Sequence, residues 1–159
     1  MQKFTLHLKK SSFFWACFIV LLFSAFDGHD ENAAFIQQTL NRHYNSGAEG
    51  AKVKRYELNV TNTGFCKYKK VYANGKTEFF SFNLLRFKSM EYYGNVNSGE
   101  LHLFTNNDDV IVQTHNDRKG DIDTMAMQMV IPLKEVNAEL LNALANGFRE
   151  VNKNLMTVK

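Results

Sequence analysis

The residues whose types come nearest to a metal-binding pattern lie in one polar segment. Residues 106–123, NNDDVIVQTHNDRKGDID, hold five aspartates and one histidine. Calcium loops use spaced aspartates around a glycine. The spacing of Asp117, Asp121 and Asp123 around Gly120 does not follow the ligand order of an EF-hand. We therefore interpret the segment as a turn that carries solubilising charges, and we predict no metal ligand in it.

Histidine and cysteine offer no stronger chemistry. His102 and His115 fall on neighbouring predicted strands and could approach each other, but a zinc site needs a third ligand. Cys66 lacks a nucleophile signature, and its place in a strand pattern favours a buried structural cysteine. The chain contains no G-x-G-x-x-G, P-loop, H-E-x-x-H or G-x-S-x-G motif. We predict no catalytic residue, cofactor or metal, and a protein that is not an enzyme.

Basic residues provide the first ligand-surface candidate. They cluster in the first two predicted strands, where they would face one another across a hairpin: Lys52, Lys54, Arg55, Lys67, Lys69 and Lys70. A solvated face is one interpretation. A weak site for an anionic surface or a polysaccharide, centred on Lys67, Lys69 and Lys70, is the other.

Methionines provide the second candidate. Alternation along one strand from residue 122 to 133 would place Met125, Met127, Met129 and Ile131 on one face. Core packing explains such a stripe, because methionine fills irregular gaps. An adaptable ligand surface is the alternative, whereas copper binding lacks a nearby histidine or cysteine. We keep the three methionines as weak ligand-surface candidates.

In the predicted order of elements, one helix precedes the strands and a second helix follows them. Residues 31–45 show helical spacing, and residues 133–156 form the clearest amphipathic helix, although Gly147 interrupts it. Between them the period changes to two, which predicts about seven antiparallel strands joined by short turns. Asn74-Gly75 predicts a hairpin with a type I′ turn, since both residues tolerate positive φ. The fold class is therefore α+β, mostly antiparallel β.

The N-terminal segment predicts the compartment. Three lysines precede an apolar run at residues 13–26, which is short for a membrane span and ends in small residues. We predict a signal peptide at residues 1–26 and one domain at residues 27–159, exported to the periplasm or outside the cell. A retained signal anchor, which would be the chain's only membrane contact, is the alternative.

The numbers of charged residues and of cysteines characterise the predicted exported domain. The chain has 19 basic and 16 acidic residues, and the signal would remove three of the basic ones, which leaves 16 of each. A charge-balanced domain gives no reason to expect nucleic-acid binding. Cys66 would be its only cysteine, so no internal disulfide can form.

The order of elements resembles the pleckstrin-homology-like barrel over residues 50–156. The passage TEFFSFNLLRFKSMEYYG looks like the third and fourth strands of that fold, in which two nearly orthogonal sheets bury one face each and a terminal helix fills an open corner. The N-terminal helix departs from the simplest form of the fold. A cystatin-like or nuclear-transport-factor-like curved sheet around a helix is the alternative.

The resemblance implies a scaffold that binds ligands rather than one that catalyses reactions. We therefore predict an exported, non-enzymatic binding or interaction module, whose partner is a protein, a polysaccharide or a lipid-like ligand. The alternative is a carrier that encloses an apolar ligand in a cavity lined by Met125, Met127, Met129 and Phe148.

Overall fold

The structure is a computed structural model that describes residues 28–48 and 53–157. The helices are α1 (Gly28–His43) and α2 (Ala138–Thr157), and a 3₁₀ turn lies at Leu84–Arg86. The strands are β1 (Val53–Val60), β2 (Phe65–Tyr72), β3 (Thr77–Asn83), β4 (Phe87–Gly94), β5 (Gly99–Thr105), β6 (Val110–His115), β7 (Asp123–Ala126) and β8 (Gln128–Leu133).

The eight strands form two sheets. Sheet I has the order β1-β2-β3-β6-β7, sheet II has the order β4-β5-β8, and every pairing is antiparallel. The predicted α+β class is confirmed, with one strand more than expected. In the part of the chain that the structure describes, the sheets do not close into a barrel, and they are two layers rather than one curved sheet.

One core joins both sheets and both helices. Its buried residues come from every layer, and the thiol of Cys66 in β2 lies 3.9 Å from the sulfur of Met129 in β8. The helices pack on each other, α1 also contacts β1, and α2 contacts the 3₁₀ turn and β4. Each sheet therefore turns one face to the core, and the other face points away from it.

The single last strand predicted from the methionine alternation is wrong. The chain bends at Met127, so that β7 pairs with β6 in sheet I while β8 pairs with β5 in sheet II. The carbonyl of Met127 accepts hydrogen bonds from the backbone N–H and the hydroxyl of Thr105. When a strand passes from one sheet to another, the face that it turns to the core changes, so the alternation breaks at the bend. The spacing of the methionines did not indicate this break.

The predicted hairpin at Asn74-Gly75 is confirmed, but its turn type is wrong. Gly75 has φ +88°, whereas Asn74 does not lie at positive φ. Gly75 N–H donates to the carbonyl of Tyr72, and Tyr72 N–H donates to the carbonyl of Lys76. A loop with one left-handed glycine after a type I turn fits these bonds better than type I′.

Helix α2 begins later than predicted, and its close packing against α1 accounts for Gly147. The side chain of Asn137 accepts a hydrogen bond from Leu140 N–H at 2.8 Å, which makes Asn137 the N-cap. A Cβ at Gly147 would lie 3.2 Å from a side-chain carbon of buried Ile36 in α1. Gly147 therefore allows the two helices to approach closely.

The predicted signal peptide lies outside the described residues. Within residues 28–48 and 53–157, neither helix is long and apolar enough to cross a bilayer. Cleavage and export therefore stay predictions.

Candidate functional site

Strand β2 divides its side chains between the two faces of sheet I. Cys66 and Tyr68 are fully buried on the core side, whereas Phe65 and Lys67 are exposed on the outer side. Residues two apart share a face, so Lys69 joins Lys67 on the outer side. This alternation places basic side chains on the face that points away from the core.

The register of sheet I brings residues from four strands to the same outer face. Lys67 lies opposite Ser81, Ser81 opposite Ile111, and Ile111 opposite Met125. Lys69 lies opposite Phe79 in the next row. We name this surface the basic face and define it by Phe65, Lys67, Lys69, Phe79, Ile111 and Met125.

The basic face exposes apolar groups as well as charge. Phe65, Ile111 and Met125 keep 41%, 38% and 49% of their surfaces exposed, while Phe79 is half-buried. The buried side chains of both helices belong to the core on the opposite side of the sheet. Exposed aromatic and aliphatic groups that adjoin on one face are typical of an interaction surface.

The charges on the basic face are only partly paired. The ammonium of Lys67 lies over the ring of Phe65 at 5.6 Å, and it makes no ion pair within the described residues. Lys69 lies 3.8 Å from Glu57, which also pairs with Arg55 at 3.3 Å. These three cations outnumber Glu57 and Asp123, the carboxylates on the same face. The excess is one positive charge, and it lies at Lys67.

Lys70 does not belong to this surface. It lies on the core side of β2, its ammonium is 3.2 Å from the carboxylate of Glu78, and only 14% of its side chain is exposed. The same ammonium lies 5.3 Å from the ring centre of Phe80 and 5.5 Å from that of Tyr68. The sequence pattern grouped three lysines, but the strand alternation separates Lys70 from the other two.

The methionines are divided in the same way. Met125 and Met127 are about half exposed at 49% and 53%, whereas Met129 is fully buried. Phe148 is also fully buried and stacks on Phe87 with ring centres 5.2 Å apart. The four side chains named for an apolar-ligand cavity thus divide between core and surface. Surface cavities of about 270 to 410 Å³ are lined by other residues.

The aspartates of the polar segment stabilise a turn. Asp121 accepts a hydrogen bond from Asp117 N–H at 2.9 Å, and Asp117 lies 2.7 Å from the ammonium of Lys76. His102 lies in sheet II and His115 in sheet I, so the two histidines are not on neighbouring strands of one sheet. Among the residues that the structure describes, no three metal-ligating side chains come together.

Sheet II presents a second face that neither of the described helices covers, and its charge is opposite. Glu91 lies opposite His102, and Tyr93 lies opposite Glu100. Their side chains point away from the core that holds Leu101 and Leu103. We name this surface the acidic face and define it by Glu91, Tyr93, Glu100, His102 and Phe104.

Comparison with known proteins does not assign a family. The chain matches no family model, no curated protein and no solved structure. The likeness to pleckstrin-homology-like domains therefore stays a prediction, and function must be argued from the surfaces.

Sequence reasoning missed three of the six members of the basic face, Phe65, Phe79 and Ile111, and did not assemble the acidic face. Phe79 joins the lysines through the β2–β3 hairpin, whereas Ile111 shares their face only because β3 pairs with β6, and more than 25 residues separate those two strands in the chain. The alternation of β5 already indicated that Glu100, His102 and Phe104 share one side. Glu91 joins them because β4 pairs with β5 across the short turn between Gly94 and Gly99.

Proposed function

We propose that this protein is a non-enzymatic interaction module that binds an acidic protein surface through the basic face. The observation that carries the proposal is the juxtaposition of Lys67 and Lys69 with exposed Phe65, Ile111 and Met125 on a sheet face that neither helix covers within residues 28–48 and 53–157. Among the cations of that face, Lys67 makes no ion pair with any of the described residues. It is therefore available to a partner's carboxylate.

The mixture of groups favours a protein partner over a simple polyanion. Protein interfaces are enriched in aromatic residues and methionine around a few charges, and their binding energy concentrates at such apolar anchors. A polyanion would be recognised mainly through density of positive charge, and the basic face has an excess of one. The exposed apolar side chains of the basic face therefore contribute the larger part of the contact area.

Binding to immobilised poly-glutamate, an acidic polypeptide, tests the proposal. We expect the double variant Lys67→Ser, Lys69→Ser to bind about five- to ten-fold more weakly than the natural chain, because each lost contact with a carboxylate contributes about 0.5–0.7 kcal/mol. Binding should also fall as salt rises from about 50 mM to about 500 mM, since exposed charges are screened.

A matched control changes the same charge elsewhere. Lys134 and Lys153 are exposed residues outside the sheets, and Lys134→Ser with Lys153→Ser should leave binding unchanged. Equal losses in both double variants would mean that net charge alone acts. Binding to dextran sulfate or to phosphatidylglycerol vesicles without binding to poly-glutamate would contradict a protein partner and favour a polysaccharide or a membrane surface.

A further inference from the structure

The acidic face is a fixed arrangement of side chains. The ring of His102 lies at its centre, with Nδ1 3.1 Å from Gln128 Oε1 and Nε2 3.3 Å from Glu100 Oε2. The ring of Tyr93 meets the His102 ring edge-on at 4.8 Å between centres. The hydroxyl of Tyr93 donates to the carboxylate of Glu91. Both carboxylates are thus held by neighbours, which lowers the entropy cost of binding a partner.

These carboxylates are open to solvent. The side chain of Glu100 is 61% exposed and Tyr93 is 55% exposed. Neither Glu91 nor Glu100 pairs with a lysine or arginine in the described part of the chain. The positive charge that this face lacks is the charge that the basic face carries in excess.

The backbone spacing of the charged residues also matches. Lys67 and Lys69 are two residues apart on one strand, which separates their Cα atoms by about 6.8 Å. Glu91 and Glu100 lie on paired strands with an offset of two residues, a diagonal of about 7–8 Å. Two carboxylates on one face can therefore meet Lys67 and Lys69 on the other, because Glu57 keeps Arg55 as its partner when Lys69 turns from it. Tyr93 and Phe104 would then contact the exposed apolar groups.

We propose that the acidic protein surface bound by the basic face is the acidic face of a second copy of this chain, an inference that rests on the proposed function. The two faces are the outer sides of two different sheets, so a copy that uses one face keeps the other free. Such contacts between unlike faces join copies head to tail and do not close on a pair. The assembly grows with concentration and weakens as salt increases.

Charge reversal on either face tests this contact by sedimentation velocity. The full chain is used in a nonionic detergent, and every variant carries the same N-terminal segment, so differences between variants report on the faces. The natural chain is expected to form larger species as its concentration rises. Lys67→Glu with Lys69→Glu, or Glu91→Lys with Glu100→Lys, should weaken this association about ten-fold or more, because like charges then face each other.

A mixture of the two reversed variants gives the decisive result. One variant has two acidic faces and the other has two basic faces, so each fails alone and the equimolar mixture associates. Glu139→Lys with Glu150→Lys, two exposed positions on α2, serves as the control and should behave as the natural chain. A natural chain that stays monomeric, or a mixture that stays dissociated, would overturn the inference.

The same variants separate this inference from the proposed function. Glu91→Lys with Glu100→Lys leaves the basic face intact and should still bind poly-glutamate. Poly-glutamate binding that depends on Lys67 and Lys69, in a chain that does not self-associate, would leave the proposed function standing and exclude the second copy as the partner.

Discussion

At the scale of single residues, Glu78 holds together the end of sheet I. Its carboxylate accepts a hydrogen bond from the hydroxyl of Tyr72 at 2.7 Å and lies 2.9 Å from the ammonium of Lys76. Lys76 also reaches Asp117 at 2.7 Å, which connects the β2–β3 hairpin to the β6–β7 turn. Partial burial by itself raises the pKa of Glu78. The bonds from Tyr72 and Lys76 and the charge of Lys70 outweigh it, so the pKa lies below its ordinary value of 4.5.

This lowered pKa predicts a loss of stability in acid. A carboxyl whose pKa is lower in the folded state stabilises the protein fully above its unfolded pKa, and that contribution disappears as pH falls through the folded pKa. We therefore expect the free energy of unfolding to decrease from about pH 6 to about pH 3, and Glu78→Gln to decrease less over the same range. Urea unfolding at each pH measures both.

Asp117 contributes to the same trend. The hydrogen bond from Lys76, followed by the one from Lys119 N–H, lowers the pKa of Asp117. A residual pH dependence should therefore remain in Glu78→Gln. Glu150→Gln, at an exposed position of α2, is the control and should keep the full slope. Identical slopes in Glu78→Gln and the natural chain would contradict the assigned role of Glu78.

At the scale of elements, helix α1 satisfies the open edge of strand β1. The side-chain amides of Gln37 and Asn41 each donate to the carbonyl of Leu58 at 3.0 Å. The side-chain oxygen of Gln37 accepts from Val60 N–H. Edge strands expose unpaired backbone groups that invite pairing with other chains. Gln37 and Asn41, one helical turn apart, therefore occupy the backbone groups of β1 with which a further strand would otherwise pair.

Removal of these two amides should destabilise the protein. Gln37→Ala with Asn41→Ala leaves part-buried backbone groups of Leu58 and Val60 without partners, and each such group costs about 1–3 kcal/mol. We expect a lower midpoint in urea unfolding. Gln38→Ala, at the exposed neighbouring position, should leave the midpoint unchanged. Equal midpoints in the double variant and the control would show that water replaces the amides without cost.

At the scale of the whole molecule, the two sheets and two helices share one core. Leu40 from α1, Tyr68 from sheet I, Leu103 from sheet II and Leu144 from α2 are all fully buried in a single hydrophobic cluster. No layer buries its apolar face without the others. The layers should therefore unfold together.

A single cooperative transition is the corresponding prediction. Far-ultraviolet circular dichroism reports on helices and strands, and near-ultraviolet circular dichroism reports on packed tyrosines such as the buried pair Tyr44 and Tyr68, whose hydroxyls lie 2.8 Å apart. Both signals should change at the same urea concentration. Separate transitions would show that one sheet unfolds before the other.

Local patterns in the sequence identified most of the elements. Helical spacing identified α1 and α2, alternation identified the strands up to the missed break between β7 and β8, and Asn74-Gly75 identified the hairpin of β2 and β3. These features depend on residues that are close along the chain, where backbone sterics and the side-chain period act directly. The α+β class followed from them.

The composition of the candidate surfaces depended on which side of each strand faces the core and on pairing between strands that are distant in the chain. Lys67 and Lys70 are three residues apart, and the strand alternation placed one outside and one against the core. Met125 and Met129 separated because the chain changes sheets between them.

The sequence by itself determined which residues alternate within most strands, where most of the turns lie, and that residues 27–159 carry balanced charge. The tertiary structure alone decided that β3 pairs with β6 and that β7 and β8 lie in different sheets. Pairing between distant strands is selected by how the whole set of apolar faces fits one core. That selection added Ile111 and Met125 to the basic face from strands far along the chain, whereas the acidic face lies on the single hairpin of β4 and β5.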